Sequence, residues 1–185
     1  KLMSQMQEQL QIENRMRQLA HFDPLTGLPN RNLLIERLDQ TLAHARRHKQ
    51  HVGILFIDLD HFKNINDTLG HQVGDLLLGQ VAKRMAYALR DTDTIGRLGG
   101  DEFLLMVPKV TSNAKLVVIA EKLIEVLTQP IDIESHQLHI TPSIGICCFP
   151  EHGEDAETLM RNADTAMYHA KSCGRNNYKF FVDKL

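Results

Sequence analysis

The sequence lacks both a charge excess and any long hydrophobic run. Its 21 lysine and arginine residues nearly balance 23 aspartate and glutamate residues, and the net charge is -2. Proteins that bind nucleic acid in bulk show a strong basic excess, so the composition argues against that class. No apolar run approaches the roughly 20 residues that cross a bilayer, and no signal-peptide pattern opens the chain. We therefore expect a cytoplasmic segment without nucleic-acid or membrane contacts, although the parent protein can still be membrane-anchored.

Cysteine pairs and several common enzyme motifs are also missing. The three cysteines include the neighbours Cys147 and Cys148 and form no C-x-x-C pair. This usage favours a reducing compartment and no zinc site. His136 and His139 are spaced for a shared site, but no third metal ligand accompanies them. The chain has no G-x-x-x-x-G-K-[ST], no G-x-G-x-x-G that opens a helix, no H-E-x-x-H and no G-x-S-x-G, so the classes that these motifs mark are excluded.

The first 20 residues form a segment of their own. They contain neither glycine nor proline. Their apolar residues follow coiled-coil spacing with one skip, at Met3, Met6, Leu10, Met16 and Leu19. Two interpretations stay open, namely a linker or stalk helix that pairs with a second copy, which we favour, and a first helix that packs on the domain. The chain begins inside this helix without an initiator Met, so we expect it to be part of a longer protein. The expected organisation is a linker helix over residues 1–20 and one domain over residues 21–183.

Hydrophobic periodicity predicts alternating helices and strands beyond the linker. The stretch D-P-L-T-G-L-P-N cannot continue a helix, and helices are predicted at 31–48, 73–89, 113–128 and 155–172. Strands are predicted at 52–60, 94–98, 103–107, 138–149 and 178–182, with a hairpin turn at Gly99-Gly100. Pro142 suggests an edge or an irregularity in its strand. Alternation that includes a hairpin predicts an α/β (α+β) sandwich, in which helices flank a mixed sheet.

Two carboxylates end the most apolar strand. In V-G-I-L-F-I-D-L-D, the period of 2 places Asp58 and Asp60 on the same face. If the hairpin strands neighbour this strand, Asp101 or Glu102 comes close to Asp58. Crowded carboxylates raise one another's pKa unless a cation neutralises them, and Mg²⁺ suits such a site. The pattern favours metal-assisted phosphoryl or nucleotidyl transfer. The plainer interpretation is that Asp60 caps the following helix and that Asp101 decorates a turn.

A site for phosphate also needs positive charge or helix N-termini. The segment H-F-K-N-I-N starts a helix whose free N–H groups lie near Lys63. Lys171 and Arg175 stand at the end of the last helix, where they also complement the helix dipole. Asn66 and Asp75 have the chemistry to read guanine, through an amide facing O6 and a carboxylate accepting from N1–H and N2–H₂. Asn and Asp near glycine are also common turn formers, so both interpretations stay open.

Taken together, the motifs resemble those of the GGDEF family of diguanylate cyclases. They are D-P-L-T-G-L-P-N-R (23–31), F-I-D-L-D-H-F-K-N-I-N-D (56–67), G-H-Q-V-G-D (70–75), G-G-D-E-F (99–103) and A-D-T-A-M-Y-H-A-K-S-C-G-R-N (163–176). The resemblance covers about residues 21–182, with the motifs in the family's order. It implies a nucleotide-cyclase fold related to polymerase palm domains. The implied reaction joins two GTP molecules into cyclic di-GMP and releases two pyrophosphates.

The resemblance implies roles for individual residues. Mg²⁺ (or Mn²⁺) would be held by Asp58, Asp101 and the backbone carbonyl of Leu59. Asp101 would also activate the ribose 3′-hydroxyl, Lys63 would stabilise the transition-state charge, and Glu102 completes the catalytic acidic set.

Binding roles follow from the same resemblance. The nucleotide would be held by Gly100, Asn66, His71 and Asp75, and its β- and γ-phosphates by Lys171 and Arg175. Arg90 and Asp93 match the family's R-x-x-D inhibitory site for cyclic di-GMP, where Arg reads guanine O6 and N7. The alternative for this pair is plain surface charge.

The expected partners follow from stoichiometry and from the ends of the chain. One site holds one GTP, so two domains of a homodimer must face each other about a two-fold axis. An upstream sensor domain would act through the linker helix, and R-N-N-Y-K-F-F resembles a junction to a downstream EAL domain. One alternative is a catalytically silent regulatory module that binds GTP or cyclic di-GMP. Another purine nucleotide cyclase is disfavoured by the guanine-reading pair.

Overall fold

The computed structural model describes residues 2–183 and places a five-stranded sheet between two layers of helices. The helices are α1 (Leu2–His21), α2 (Arg31–His48), α3 (Phe62–Leu69), α4 (His71–Ala88), α5 (Asn113–Thr128) and α6 (Ala156–Ser172). The strands are β1 (His51–Leu59), β2 (Thr94–Gly99), β3 (Glu102–Val110), β4 (Ile131–Ile133), β5 (His136–Leu138), β6 (Pro142–Phe149) and β7 (Asn177–Phe180). The predicted mixed α/β sandwich is confirmed.

Strand β1 is the centre of the sheet, whose order is β2-β3-β1-β6-β7. It pairs antiparallel with β3 and β6, while β7 runs parallel to β6. Helices cover both faces, which explains why β1 is a nearly continuous hydrophobic run. The expected closeness of the hairpin to this strand is confirmed, because Asp58 lies directly opposite Glu102 in the β1–β3 register.

Alternate residues of β1 contribute to two separate cores. Leu55, Ile57 and Leu59 pack in the layer of α4 and α5. Ile54 and Phe56 pack in the layer of α2 and α6. The period of 2 therefore places the side chain of Asp58 on the α2 and α6 face of the sheet.

Helix α1 stands apart from both cores, since none of its residues is buried. Its apolar side chains are exposed, which rules out the alternative in which it packs on the domain. Pairing with a second copy and the division at residue 20 stay predictions, and Lys1 of the predicted helix lies outside the described residues. The side chain of Asn30 joins α1 to α2, because its Nδ2 donates to the Ala20 carbonyl at 3.1 Å and its Oδ1 accepts from the Leu33 N–H. None of the helices in residues 2–183 combines the length and hydrophobicity needed to cross a bilayer.

The prediction of a single strand over 138–149 is wrong, because β5 ends at Leu138 and β6 begins at Pro142. Of the two interpretations of Pro142, the irregularity is therefore confirmed and the edge is wrong, because β6 lies between β1 and β7. Pro142 is the first residue of β6, a position that tolerates the missing N–H. The short strand β4, which pairs with β5 outside the main sheet, was not predicted, because three residues are too few to show a period.

Arg84 of α4 closes the C-terminal end of α5. Its Nη1 donates to the carbonyls of Val126 and Gln129 at 3.1 and 2.7 Å, and its Nη2 donates to that of Pro130 at 2.7 Å. The last carbonyls of a helix lack partners within the helix, and a cation also complements the dipole there. Arg84 therefore stabilises the packing of α5 on α4.

We expect Arg84→Met to lower the free energy of unfolding by about 1–3 kcal/mol, because three carbonyls lose a charged donor. Urea denaturation measures the change. Arg37→Met is the matched control, since Arg37 is an exposed helical arginine without a side-chain hydrogen bond in the described residues. That control should stay within about 0.5 kcal/mol of the original chain. Equal losses in the two variants would contradict the capping role.

Candidate active site

Asp58 is a buried carboxylate near the end of β1. Its side chain is 9% exposed, and its Oδ2 lies 3.1 Å from the Nζ of Lys171 in α6. Burial and then the negative charge of Asp101 raise the pKa of Asp58 to about 7, while Lys171 acts in the opposite sense. The site holds more negative charge than one lysine offsets, as expected where a cation binds.

The β2–β3 hairpin brings Asp101 to this carboxylate. Gly99 pairs with Glu102, so the turn consists of Gly100 and Asp101, and not of the two glycines as predicted. Gly99 has a φ of 149°, a conformation that side-chain-bearing residues rarely adopt. No atom beyond the chain neighbours lies within 4 Å of the position a Cβ would take at Gly99 or Gly100. The turn thus leaves open space beside Asp101.

The carbonyl of Leu59 is open on the side of that turn. The Leu59 N–H donates to the Asp101 carbonyl at 3.3 Å, but within residues 2–183 the Asp101 N–H makes no return bond. No group of three or more His, Cys, Asp or Glu side chains in the described residues is arranged to hold a metal ion. A cation here would rely on two carboxylates, this carbonyl and ligands from outside, a set that suits Mg²⁺.

Glu102 lies beside a cavity on the face of the sheet that carries Asp58. Burial and then the charge of Asp164 raise the pKa of its carboxyl. The cavity has a volume of about 680 Å³ and is lined by Arg31, Ile35, Phe56, Glu102, Ala156, Glu157, Met160, Arg161 and Asp164. Asp164 lies in the motif at 163–176, but the sequence analysis assigned it no role.

Asp60 does not cap α3, and its carboxylate accepts hydrogen bonds from distant parts of the chain instead. The N-cap position of α3 is His61, without a side-chain cap, so the plainer interpretation of Asp60 is wrong. Its carboxylate accepts hydrogen bonds from Thr141 Oγ1 at 2.6 Å, Ser143 Oγ at 2.6 Å and the Asn176 N–H at 3.0 Å. These bonds hold the turn that carries Arg175 against the end of β1.

Three predicted phosphate ligands lie around this edge of the sheet. Lys63 is exposed in the first turn of α3, Lys171 lies on Asp58, and Arg175 is exposed in the turn after α6. His61 and Arg175 have φ values of 58° and 61°. Such left-handed residues are uncommon outside glycine and concentrate at functional sites.

Helices α3 and α4 form a polar corner. The Oδ1 of Asn66 is buried and has no hydrogen-bond partner in the described residues. A Cβ at Gly74 would lie 1.7 Å from that oxygen, so only glycine leaves room for the amide. His71 and Asp75 are exposed one turn apart on α4. The three residues predicted to hold guanine therefore gather at one corner.

Arg97 fixes the hairpin turn, a contact that the sequence does not indicate. Its Nε and Nη2 donate to the Gly100 carbonyl at 2.9 and 2.7 Å, and its Nη1 donates to Asp23 Oδ1 at 2.8 Å. The other Asp23 oxygen accepts from the N–H and hydroxyl of Thr26. Asp before Pro indicates a local turn, but nothing in the sequence pairs it with a residue 74 positions away. The helix-breaking stretch therefore also holds the turn that carries Asp101.

Arg90 and Asp93 lie before β2, at the opposite end of that strand from the turn. The Arg90 N–H donates to Asp93 Oδ2 at 3.2 Å, so the motif forms a local turn. Both residues line a second cavity of about 150 Å³, together with Lys115 and Lys122 of α5. Three cationic side chains around one cavity suit an anionic ligand.

The chain is similar in sequence to known proteins. The family model described as diguanylate cyclase, GGDEF domain, matches residues 20–177. The chain is 49% identical over 168 residues to the bifunctional diguanylate cyclase/cyclic di-GMP phosphodiesterase MucR of Pseudomonas aeruginosa, covering 91% of this chain and 24% of MucR. The chain spans about a quarter of the length of curated relatives such as MucR, and 40% of the diguanylate cyclase TpbB of Pseudomonas aeruginosa.

Solved structures resemble the fold as a whole. The GGDEF domain of TpbB (YfiN) from Pseudomonas aeruginosa has a TM-score of 0.85 at 39% identity, covering 88% of this chain and 95% of that one. The coiled coil and GGDEF domain of DgcB from Caulobacter crescentus, in complex with c-di-GMP, has a TM-score of 0.81 at 26% identity. That match covers 96% of this chain and 94% of the solved DgcB chain.

We expect Asp58 to make the stability of the metal-free chain depend on pH. Its pKa is about 7 in the folded chain against 3.8 ordinarily, so the folded state binds the proton more tightly. The free energy of unfolding should therefore fall as pH rises through this range, by at most about 1.4 kcal/mol per pH unit. Asp58→Asn should remove this component and stabilise the chain at pH 8.

Urea denaturation between pH 4 and pH 8 with a chelator measures the difference between the original chain and Asp58→Asn. The difference isolates Asp58, because Glu102 and Asp164 titrate in both proteins. Asp39→Asn, an exposed site on α2, is the control and should keep the original curve. Parallel curves for the original chain and Asp58→Asn would refute the assignment.

Proposed function

Because the chain belongs to the GGDEF family of diguanylate cyclases, we propose that it joins two GTP molecules into cyclic di-GMP and releases two pyrophosphates. The strongest support is the closeness of Asp58 and Asp101 beside the open carbonyl of Leu59, with Lys171 at 3.1 Å. Oxygen ligands and a cationic side chain suit a nucleoside triphosphate and its metal ion.

The proposed cofactor is Mg²⁺, or Mn²⁺, held by Asp58, Asp101 and the Leu59 carbonyl. Bound there, the ion would polarise the phosphate that is attacked and neutralise charge that develops on it. Lys171 would then leave Asp58 for the β- and γ-phosphates, which it would hold together with Arg175. A lysine is suited to this exchange because its ammonium is a point charge on a flexible stem.

The chain's own side chains would position the nucleotide and move its proton. Asn66, His71 and Asp75 would hold the guanine at the α3–α4 corner. Asp101 would accept the proton of the 3′-hydroxyl as the new bond to the α-phosphate forms. Lys63 would offset the negative charge that grows as the bond to pyrophosphate breaks.

Two copies of the chain are required by the product. Each 3′-oxygen must attack the α-phosphate of the other GTP, so two half-sites have to face each other about a two-fold axis. The exposed apolar side chains of α1 support a paired stalk, and the resembling DgcB structure contains a coiled coil. We propose that this stalk connects the domain to an upstream sensor. Relatives about four times longer leave room for that sensor and for a downstream EAL domain.

Cyclic di-GMP would also act as an inhibitor at Arg90 and Asp93. The guanidinium would read guanine, and Lys115 and Lys122 in the same cavity would bind the phosphates. The DgcB structure, in complex with c-di-GMP, shows that a resembling domain binds this compound.

We expect the chain to form cyclic di-GMP from GTP and Mg²⁺, and Asp101→Asn to slow turnover by about a hundredfold or more, because the general base is lost. Chromatography follows the product, and isothermal titration with GTP should show retained binding. Asp39→Asn serves as the control at an exposed carboxylate. GTP bound without any product at high protein concentration would instead identify a regulatory module that binds GTP.

We expect Arg90→Ala to relieve product inhibition and leave the initial rate within about twofold, because Arg90 lies away from the reacting groups. Initial rates measured with increasing added cyclic di-GMP test this expectation. Arg37→Ala provides a matched loss of one positive charge. Unchanged inhibition in Arg90→Ala would assign the pair to plain surface charge.

A further inference from the structure

The cavity beside Glu102 carries charges of both signs that form no close ion pair within the described residues, although Arg31 partly offsets the charge of Glu102 from a distance. Its floor is apolar, formed by Ile35, Phe56, Ala156 and Met160, and its rim carries two arginines and three carboxylates. The ion pairs formed by residues 2–183 include none of these five charged side chains. The side-chain hydrogen bonds of the described residues leave them without partners as well.

Asp164 is the least satisfied member of this rim. Its Oδ1 is buried and has no hydrogen-bond partner in the described part of the chain. Burial raises the pKa of its carboxyl, and Lys171 opposes that shift only in part. Asp164 and the nearby Glu102 also repel each other. A half-buried carboxylate without a donor is costly, so a donor from outside the chain would stabilise it.

Arg31 is the donor that a second copy would bring. It is the exposed first residue of α2, on the wall of the cavity opposite the α6 wall that carries Asp164. A guanidinium binds a carboxylate through two parallel hydrogen bonds. A surface with an unpaired arginine on one wall and an unpaired carboxylate on the other is complementary to itself. In a two-fold interface, residue i of one copy meets residue j of the other, and j meets i.

We propose that this cavity receives a second copy of this chain, with Arg31 of each copy bound to Asp164 of the partner subunit. The inference rests on the proposed function, which needs two domains to face each other at Asp58. The cavity lies on the correct face, because Glu102 in its lining is the cross-strand neighbour of Asp58. Two symmetric ion pairs would thereby set the separation of the two half-sites.

Charge exchange separates a contact between copies from a contact within one chain. In homodimers of Arg31→Asp or of Asp164→Arg, both contacts join like charges, and cyclic di-GMP formation should fall at least about tenfold. In a mixed dimer of the two variants, both contacts join opposite charges. Mixing the two weak variants should therefore restore turnover to at least about five times that of either alone. A mixture that stays as slow as its components would overturn the proposal.

Controls keep a folding failure from imitating this result. Asp at the first position of α2 favours the helix dipole, so Arg31→Asp should fold. Asp164→Lys is a second partner variant, and thermal unfolding checks all of them. The double variant carrying both exchanges in one chain should be active, since its homodimer also has opposite charges at both contacts. An inactive double variant whose unfolding transition matches that of the original chain would count against the pair.

Association measured without turnover distinguishes this inference from the proposed function. Sedimentation velocity without and with Mg²⁺ and 3′-deoxy-GTP, which cannot form the product, should show a nucleotide-dependent rise in dimers for the original chain and for the mixture, and a smaller rise for each single variant. This pattern in a chain that makes no cyclic di-GMP would support the interface and refute the enzyme. If the original chain is active but the mixture of variants shows no recovery of turnover, only the proposed interface would be refuted.

Discussion

Repulsion between carboxylates at the end of a buried strand is the constraint on which the rest of this structure depends. Asp58 and Asp101 raise the energy of the folded chain when they are brought together, and Lys171 offsets only part of that cost. Groups that repel must be held by others, and the hairpin turn with Asp101 is held by Arg97 through the Gly100 carbonyl. Bonds that never touch the proposed substrate therefore determine the geometry of the site.

The same bonds connect the site to α1. Asp23, two residues after the end of α1, holds Arg97, and Asn30 bonds to the last turn of α1 and to the first turn of α2. Two side chains thus join α1 to the turn of Asp101. No residue of α1 is buried, so neither core depends on the position of this helix. The proposed stalk has a short physical route to the catalytic turn.

Much of this architecture could be predicted because it depends on local periodicity. The leucines of α2 and the apolar run of β1 indicate one-sided and two-sided burial, and both are confirmed. The contact between Asp23 and Arg97 could not be predicted, because it joins positions 74 residues apart that share no periodic pattern. The hydrogen bonds of Asp60 could not be predicted for the same reason. Motif resemblance identified the candidate site residues, and their register across β1 and β3 became visible only when the strands were paired.

Charge couples the proposed cation site at Asp58 and Asp101 to the cavity beside Glu102. Asp101 raises the pKa of both Asp58 and Glu102, so the cation site and the cavity rim belong to one electrostatic unit. The phosphates of GTP carry more negative charge than one divalent ion removes. On the proposed function, a loaded site therefore attracts the arginine of a partner subunit more strongly than an empty site does. Linkage is reciprocal, so the docked partner must strengthen nucleotide binding by the same factor. Docking of the two domains at this cavity then follows substrate loading, even where α1 already pairs the two chains.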